Sequence, residues 1–262
     1  MGIVNLTDDS FFSGSRYGSL SSQEAVAAVE KMFQDGASIV DIGACSTRPG
    51  AEPVSPQEEW ERLKEVIKAL AGKNLCISVD TTSAEIVRRV YDTLGPFLVN
   101  DISSGEDDPD MLPLVGSLGL EYVAMHKRGN PRTMNALTDY PQGVTQAVKS
   151  YFEAFSQKAQ AYGIREWILD PGFGFAKTLE QNWELLGNLH RLTELGRPIL
   201  AGLSRKSMIY KLTGTTPEES LPATQIANYI ALVQGATLLR VHDIPETVRT
   251  VQIFSEATRI QR

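Results

Sequence analysis

The feature that most restricts the fold of this chain is a rhythm repeated eight times. A short β-branched apolar run is followed by a polar segment, a stretch of helical periodicity, a glycine, and then the next run. The runs are Gly2–Leu6, Ser38–Gly43, Leu75–Asp80, Phe97–Asp101, Glu121–His126, Trp167–Asp170, Pro198–Leu203 and Leu238–His242. Most are nearly continuous apolar stretches rather than strict alternations, the pattern of parallel strands buried on both faces. Over 262 residues the eight units average about 33 residues each, an ordinary βα repeat. Eight consecutive units close into a (β/α)8 barrel, an α/β fold, more naturally than they form an open sheet. An open doubly wound sheet is the alternative. No proline- or serine-rich linker breaks the rhythm, so one domain is expected over residues 1–262.

The segments between the runs carry helix punctuation. Ser21…Glu24, Ser55-Pro56-Gln57-Glu58 and Thr216-Pro217-Glu218-Glu219 fit the capping box, two of them with proline at the first helical position. Gly36, Gly72, Gly95, Gly119, Gly163, Gly196 and Gly235 each fall just before the next run, where glycine ends a helix and turns the chain back. Trp60, Leu63, Val66, Ile67 and Leu70 have the spacing of one buried helix face.

Composition narrows the function classes. With 25 basic against 32 acidic residues the formal charge is −7, which argues against a nucleic-acid binder. No apolar run approaches the roughly 18 residues of a membrane span, and the start shows no secretory signal, so a soluble cytoplasmic protein is expected. Cys45 and Cys76 are too few for a disulfide framework or a zinc site, and a barrel puts them at opposite ends.

In a βα barrel the loops after the strands build the active-site face. All eight runs end in polar or charged residues: Asn5 with Thr7, Asp8, Asp9 and Ser10; Asp41 with Cys45-Ser-Thr-Arg-Pro-Gly50; Asp80; Asn100 and Asp101; His126-Lys-Arg128; Asp170-Pro-Gly-Phe-Gly-Phe175; Ser204-Arg-Lys-Ser207; and Arg240-Val-His242-Asp243. Eight coincidences on one face mark a site. Asp80, Asn100 and Asp170 can converge in the mouth, where their acceptors suit a neutral heterocycle rich in N–H groups. Arg205, Lys206, Arg240 and His242 form a cationic arc after the seventh and eighth runs, where barrels frequently bind phosphate. An anionic, phosphorylated ligand is implied. Asn5 with Asp9 suits a magnesium ion bound with that phosphate; Asn5 as a satisfied turn residue is the equal alternative. His190 reads as a surface histidine, and Trp60, Trp167 and Trp183 as packing. Gly172-Phe-Gly174 is not completed to a dinucleotide fingerprint, since position 177 is lysine.

Taken in order, these strand-end motifs resemble the dihydropteroate synthase family of pterin-binding barrels. The matching stretches are Met1-Gly-Ile-Val-Asn-Leu-Thr-Asp-Asp-Ser-Phe11, Asp41-Ile-Gly-Ala-Cys-Ser-Thr-Arg-Pro-Gly-Ala51, Ser78-Val-Asp-Thr81, Val99-Asn-Asp-Ile102, Asp170-Pro-Gly-Phe-Gly-Phe175, Ser204-Arg-Lys-Ser207 and Arg240-Val-His-Asp243. Each alone is weak; together they span the chain. The sequence departs from the family pattern at Asp8, where proline is usual, at Ala44-Cys45, where Gly-Glu is usual, and at Ala176, where glycine is common.

The resemblance implies condensation of 6-hydroxymethyl-7,8-dihydropterin pyrophosphate with p-aminobenzoate to 7,8-dihydropteroate and pyrophosphate, in folate synthesis. It implies a pterin site of Asp80, Asn100, Met125, Asp170, Phe175 and Lys206, and a pyrophosphate site of Asn5, Arg48, Arg240 and His242. Mg²⁺ would be held near Asn5. It further implies a p-aminobenzoate site of Thr47, Arg48, Pro49, Phe175 and Ser207, with Asp9, Lys206, Arg240 and His242 carrying the chemistry. Sulfonamides as competitive inhibitors and a homodimer formed through late helices go with the family. A pterin-dependent methyltransferase and a non-catalytic pterin-binding barrel are the competing readings.

Overall fold

The computed structural model describes residues 1–7, 21–45, 54–129 and 133–259. Strands β1 (Gly2–Asn5), β2 (Val40–Gly43), β3 (Ile77–Asp80), β4 (Leu98–Asp101), β5 (Glu121–Met125) and β6 (Trp167–Asp170) pair in chain order, all parallel. Strands β7 (Leu200–Ala201) and β8 (Leu238–Leu239) form a parallel pair of their own. Two isolated bridges, Leu169 to Ile199 and Gly2 to Val241, join the pieces. The Val241 amide donates to the Met1 carbonyl at 3.0 Å and the Met1 nitrogen to the Leu239 carbonyl at 2.9 Å. The eight strands therefore close as a barrel, and the open-sheet alternative falls.

Helices α1 (Ser22–Gln34), α2 (Pro56–Leu70), α3 (Ala84–Leu94), α4 (Met111–Leu118), α5 (Val144–Ala161), α6 (Leu179–Gly187), α7 (Ser207–Thr213), α8 (Leu221–Val233) and α9 (Ile244–Arg259) alternate with the strands, α7 and α8 both lying between β7 and β8. No helix among the described residues is long and apolar enough to cross a membrane.

The period of two along each strand sorts the side chains into two cores. Val4, Val40, Ile42, Val79, Val99, Tyr122, Leu169 and Ala201 point outward and pack under the helices. Met1, Leu98, Val123 and Leu200, with Ile39, Ile168 and Leu238, make a separate apolar plug inside the barrel. Two residues further along the same inward face come Asp41, Asn100, Met125, Asp170, Gly202 and Arg240. The site thus stands on an apolar floor.

The capping boxes at Ser21 and Ser55 form as expected, and the seven glycines ahead of strands all take positive φ. Gly119, for example, ends α4 in the left-handed region at φ 64°, where a side chain would be strained. A further capping box, Thr178 with Gln181, opens α6. The expected helix start at Thr216 is corrected. Thr216 and Glu219 do exchange hydrogen bonds, at 3.1 and 3.3 Å, but they close a turn, and α8 begins at Leu221. Arg205 Nη1 donates to the Pro217 and Glu218 carbonyls at 2.7 Å each, taking acceptors that a helix from Pro217 would use. The β7 and β8 runs also pair over fewer residues than expected, because beyond Ala201 and Leu239 the chain turns to serve the site.

Helix α4 lies against the end of α5 so closely that a Cβ on Gly116 would sit 1.8 Å from the Tyr162 carbonyl oxygen. Gly116→Ala is expected to destabilise the fold by about 2–3 kcal/mol through overpacking against backbone. Urea unfolding measures this, and an unchanged midpoint would contradict the close approach.

Candidate active site

The strand ladder brings a polar row to the barrel mouth: Asn5 is beside Gly43, Gly43 beside Asp80, and Asp80 beside Asn100. Gly43 contributes no side chain, so Asn5 and Asp80 become neighbours across it. A Cβ there would lie 3.5 Å from Asn5 Oδ1 and 3.4 Å from Asp80 Cβ.

One layer deeper, Asp41 is wholly buried. Its carboxylate accepts from Ser78 Oγ at 2.6 Å, Asn100 Nδ2 at 2.9 Å and Arg240 Nε at 2.7 Å. Arg240 Nη2 reaches Asp41 at 2.6 Å and Asp80 at 2.9 Å. Burial opposes the charge on Arg240, yet Asp41 and Asp80 together hold its pKa above the ordinary value. Burial pushes the Asp80 carboxyl up to about 7 even with Arg240 beside it. Because Asn100 gives its amide N–H to Asp41, its Oδ1 is left facing the mouth. Among the described residues nothing donates to Asp80 Oδ1, Asn100 Oδ1 or Asp170 Oδ2, while Asp170 Oδ1 accepts from the Gly172 amide at 2.8 Å. Burial raises the Asp170 pKa, against the pull of Lys206.

Lys206 stands immediately before α7, donates to the Phe173 carbonyl, and holds its ammonium 5.3 Å from the centre of the Phe175 ring. Burial brings its pKa down to about 8, with Asp170 working the other way. Ser207 opens α7, and Met125 lies beside Asp170 across the β5–β6 ladder. Ser204 Oγ accepts from the His242 amide at 3.3 Å and meets His242 Nδ1 at 2.9 Å. A Ser204 hydroxyl that donates to Nδ1 would put the ring proton on Nε2. Burial, then Arg240, lowers the His242 pKa to about 4.

Asn5, Asp80, Asn100, Met125, Asp170, Phe175, Lys206, Ser207, Arg240 and His242 all lie at the C-terminal ends of strands or in the loops that follow them. Asp9, Thr47, Arg48 and Pro49 lie outside the described residues. The cationic arc needs correction on two counts. Arg240 crosses the mouth to the carboxylates of β2 and β3 instead of standing apart from them. Arg205 is buried and grips Asp243 through Nε at 2.9 Å and Nη2 at 2.8 Å, so its guanidinium ties two loops together. Asp101 likewise turns away from the mouth, accepting from Ser103, Gly105 and Tyr122.

Asp41, Ser78 and Ser204 bond directly to residues of the mouth, and sequence reasoning gives them no role, although Asp41 shares the inward parity of Ile39 and Gly43. Lys177 is a fourth. It is buried beside His126, 3.0 Å from its Nδ1, and burial lowers its pKa to about 7. Cys45 and Cys76 are free thiols, and His190 is exposed. Among the described residues no group of three or more His, Cys, Asp or Glu side chains could hold a metal ion.

The family described as pterin binding enzyme matches residues 1–242. A dihydropteroate synthase of Synechocystis is 44% identical over 248 residues, covering 93% of this chain and 84% of its own. That of Escherichia coli is 39% identical over 260 residues, covering 98% and 90%. Among solved structures, the Yersinia pestis dihydropteroate synthase with a sulfonamide drug complex superposes with TM-score 0.92 at 36% identity, covering 100% of this chain and 94% of that one. The Xanthomonas albilineans enzyme with 4-aminobenzoic acid gives 0.87 at 37%, covering 98% and 92%.

Burial, and next Lys177, hold the His126 pKa down at about 2. Its imidazole ¹⁵N shifts are expected to stay those of one neutral tautomer from pH 5 to 8. A titration midpoint inside that window would mean that the pocket is wetter than described.

Proposed function

The chain belongs to the pterin-binding enzyme family and within it to the dihydropteroate synthases, and on that premise we propose which of its residues carry the reaction. It condenses 6-hydroxymethyl-7,8-dihydropterin pyrophosphate with p-aminobenzoate, giving 7,8-dihydropteroate and pyrophosphate. Sulfonamides compete for the p-aminobenzoate site.

The assignment of the pterin site rests on the three acceptors at the mouth that nothing else satisfies. Asp80 Oδ1, Asn100 Oδ1 and Asp170 Oδ2 would each leave a lone pair unmatched in a half-dry cleft unless a ligand brings N–H groups. The amino group and ring N–H groups of a dihydropterin supply that number of donors. Lys206 then donates to a ring acceptor, and Met125 and Phe175 flank the ring. An ammonium held between Asp170 and the Phe175 face is fixed in direction, so the ring enters in one orientation.

The pyrophosphate is assigned to Asn5, Arg240 and His242, with Arg48 as a further partner for its charge. His242, with its ring proton on Nε2, donates to a phosphate oxygen without bringing a charge. Arg240 supplies the charge, and its bonds to Asp41 and Asp80 fix where the guanidinium stands. The residues at Asn5 fit a magnesium ion bound mostly by phosphate oxygens and water: one neutral amide oxygen, with the Asp80 carboxylate next to it, is the donor set such an ion accepts from protein. When bound it supplies charge neutralisation of the leaving pyrophosphate.

Loss of pyrophosphate breaks the C–O bond ahead of attack, and positive charge grows on the methylene and the pterin. Asp9 is assigned to that charge, and the Asp80 and Asp170 carboxylates at the mouth favour it. The p-aminobenzoate amine then forms the C–N bond and gives up one proton. Thr47, Arg48, Pro49 and Phe175 orient the benzoate, with Ser207 donating to its carboxylate. No side chain need form a covalent bond to substrate.

A cytoplasmic location goes with this reading, and so does a homodimer. Leu212, Ile226, Ile230, Val233, Val251 and Ile253 leave an apolar surface exposed on α7, α8 and α9. Light scattering is expected to give twice the chain mass for the wild type and the single mass for Ile226→Glu. A wild-type monomer at micromolar concentration would sink the dimer.

Purified protein given the dihydropterin pyrophosphate, p-aminobenzoate and Mg²⁺ is expected to release dihydropteroate and pyrophosphate in equal amounts, and to stop in EDTA. Lys206→Ala is expected to cut kcat/KM by at least about a hundredfold, the usual cost of losing a charged contact to a desolvated substrate. A Lys206→Ala enzyme with wild-type kinetics would overturn the pterin site.

A further inference from the structure

Lys177 takes no part in the chemistry above, yet with Lys127 it is one of two buried lysines among the described residues. Its ammonium has three N–H donors and three acceptors: His126 Nδ1 at 3.0 Å, the Gly172 carbonyl at 2.9 Å and the Phe175 carbonyl at 3.0 Å. Two of these acceptors belong to the loop after β6, and that loop presents Phe175. On the same loop the Phe173 carbonyl accepts from Lys206. Two lysines, from the start of α6 and from the start of α7, therefore grip alternate carbonyls of one short segment.

The segment needs holding. Gly172, Gly174 and Ala176 all have positive φ, at 68°, 83° and 50°. For Ala176 the left-handed region costs about 1 kcal/mol or more, since its Cβ crowds the following carbonyl. Gly172 is pressed onto β5 so tightly that a Cβ would lie 2.0 Å from the His126 carbonyl oxygen. Such a run of conformations persists only where surrounding bonds over-determine it. Asn182 adds one, taking the Gly174 amide at 2.7 Å, and the Tyr140 hydroxyl another, on the Ala176 carbonyl at 2.9 Å. The Phe175 amide closes the loop onto the Gly172 carbonyl at 3.1 Å, and the Lys177 ammonium reinforces that closure with a bond to each of the two carbonyls and a third to His126, just past β5.

We propose that Lys177 is a positioning residue, whose buried ammonium fixes the Gly172–Phe175 backbone so that the Phe175 ring and the Phe173 carbonyl meet Lys206 in the substrate-binding arrangement. The effect on substrate rests on the synthase reading given above; the effect on the loop does not. Removing the ammonium leaves the Phe175 carbonyl unpaired and the Gly172 carbonyl with the Phe175 amide alone, and the loop rearranges to hydrate them. Phe175 then leaves its place beside Lys206, and the substrates are bound less well, while the groups that meet the leaving pyrophosphate remain where they were.

The test compares wild type, Lys177→Met and Tyr140→Phe. Methionine keeps the length of the stem and removes every donor; Tyr140→Phe removes a different bond to the same loop and controls for loose loops in general. Well below the melting temperature of all three, Lys177→Met is expected to raise KM for p-aminobenzoate about tenfold with kcat within about threefold, the mark of lost positioning. Tyr140→Phe is expected to stay within about twofold in both. Hydrogen exchange of residues 171–177 is expected to quicken in Lys177→Met and not in β1–β4. If Lys177→Met does not fold, Lys177→Gln takes its place, with an amide able to serve one loop carbonyl and a smaller rise in KM. An unchanged KM in a folded Lys177 variant, or a rise matched by Tyr140→Phe, would overturn the proposal. Absence of wild-type turnover would remove the synthase reading and leave the exchange experiment to decide whether Lys177 holds the loop.

Discussion

The structure turns on Arg240 and the buried carboxylate of Asp41. The two are 199 positions apart in sequence, and they meet inside the barrel above the apolar plug. Arg240 follows β8 and Asp41 lies on β2, with β1 between them, so their bond braces the seam where the barrel closes. That seam is otherwise thin, since β1 meets the chain after β8 through the single Gly2 to Val241 bridge. A buried charge whose partner is removed costs about 3–5 kcal/mol, so neither residue can be lost alone without endangering closure. Both are therefore fixed by folding before they are fixed by catalysis.

This brace decides which atoms remain for a ligand. Asp41 spends its oxygens on Ser78, Asn100 and Arg240, and by taking the Asn100 amide it turns the other end of that amide to the mouth. Arg240 occupies one oxygen of Asp80 and leaves the second. The acceptors proposed for the pterin are what the brace does not consume. Stability and recognition here are one network divided between two layers, and each layer is set by the period of two along the strands.

That period explains what could be read in advance. Eight apolar runs, glycine helix ends and polar strand termini depend on local spacing, and the barrel, the helix stops at Gly36 or Gly119 and the inward Asp80, Asn100 and Asp170 were all legible from it. What spacing does not carry is the reach of a long side chain. Arg205, Lys206 and Arg240 read alike as cations after strands seven and eight. Only the folded chain separates Arg205, buried on Asp243, from Lys206 at the mouth and Arg240 across it. The Thr216 capping box was legible and its bonds form, but Arg205 takes the carbonyls that would have continued a helix. A local signal yields there to a contact that no local pattern encodes. Lys177 was visible only as the residue that spoils a dinucleotide fingerprint.

The loop after β6 carries the same logic furthest. Its glycines permit positive φ at positions 172 and 174, but position 176 is alanine and must be held in that region against its own preference. In this chain the buried ammonium of Lys177 and the strained Ala176 are adjacent, and the neutral His126 that accepts from the ammonium is walled by Tyr140 and Tyr151. An imidazole kept neutral by burial is the acceptor that a lysine needs if it is to stay charged without a carboxylate within bonding distance. The apolar wall around His126 keeps its imidazole neutral and open to the Lys177 ammonium, and that bond is one of three through which Lys177 shapes the loop.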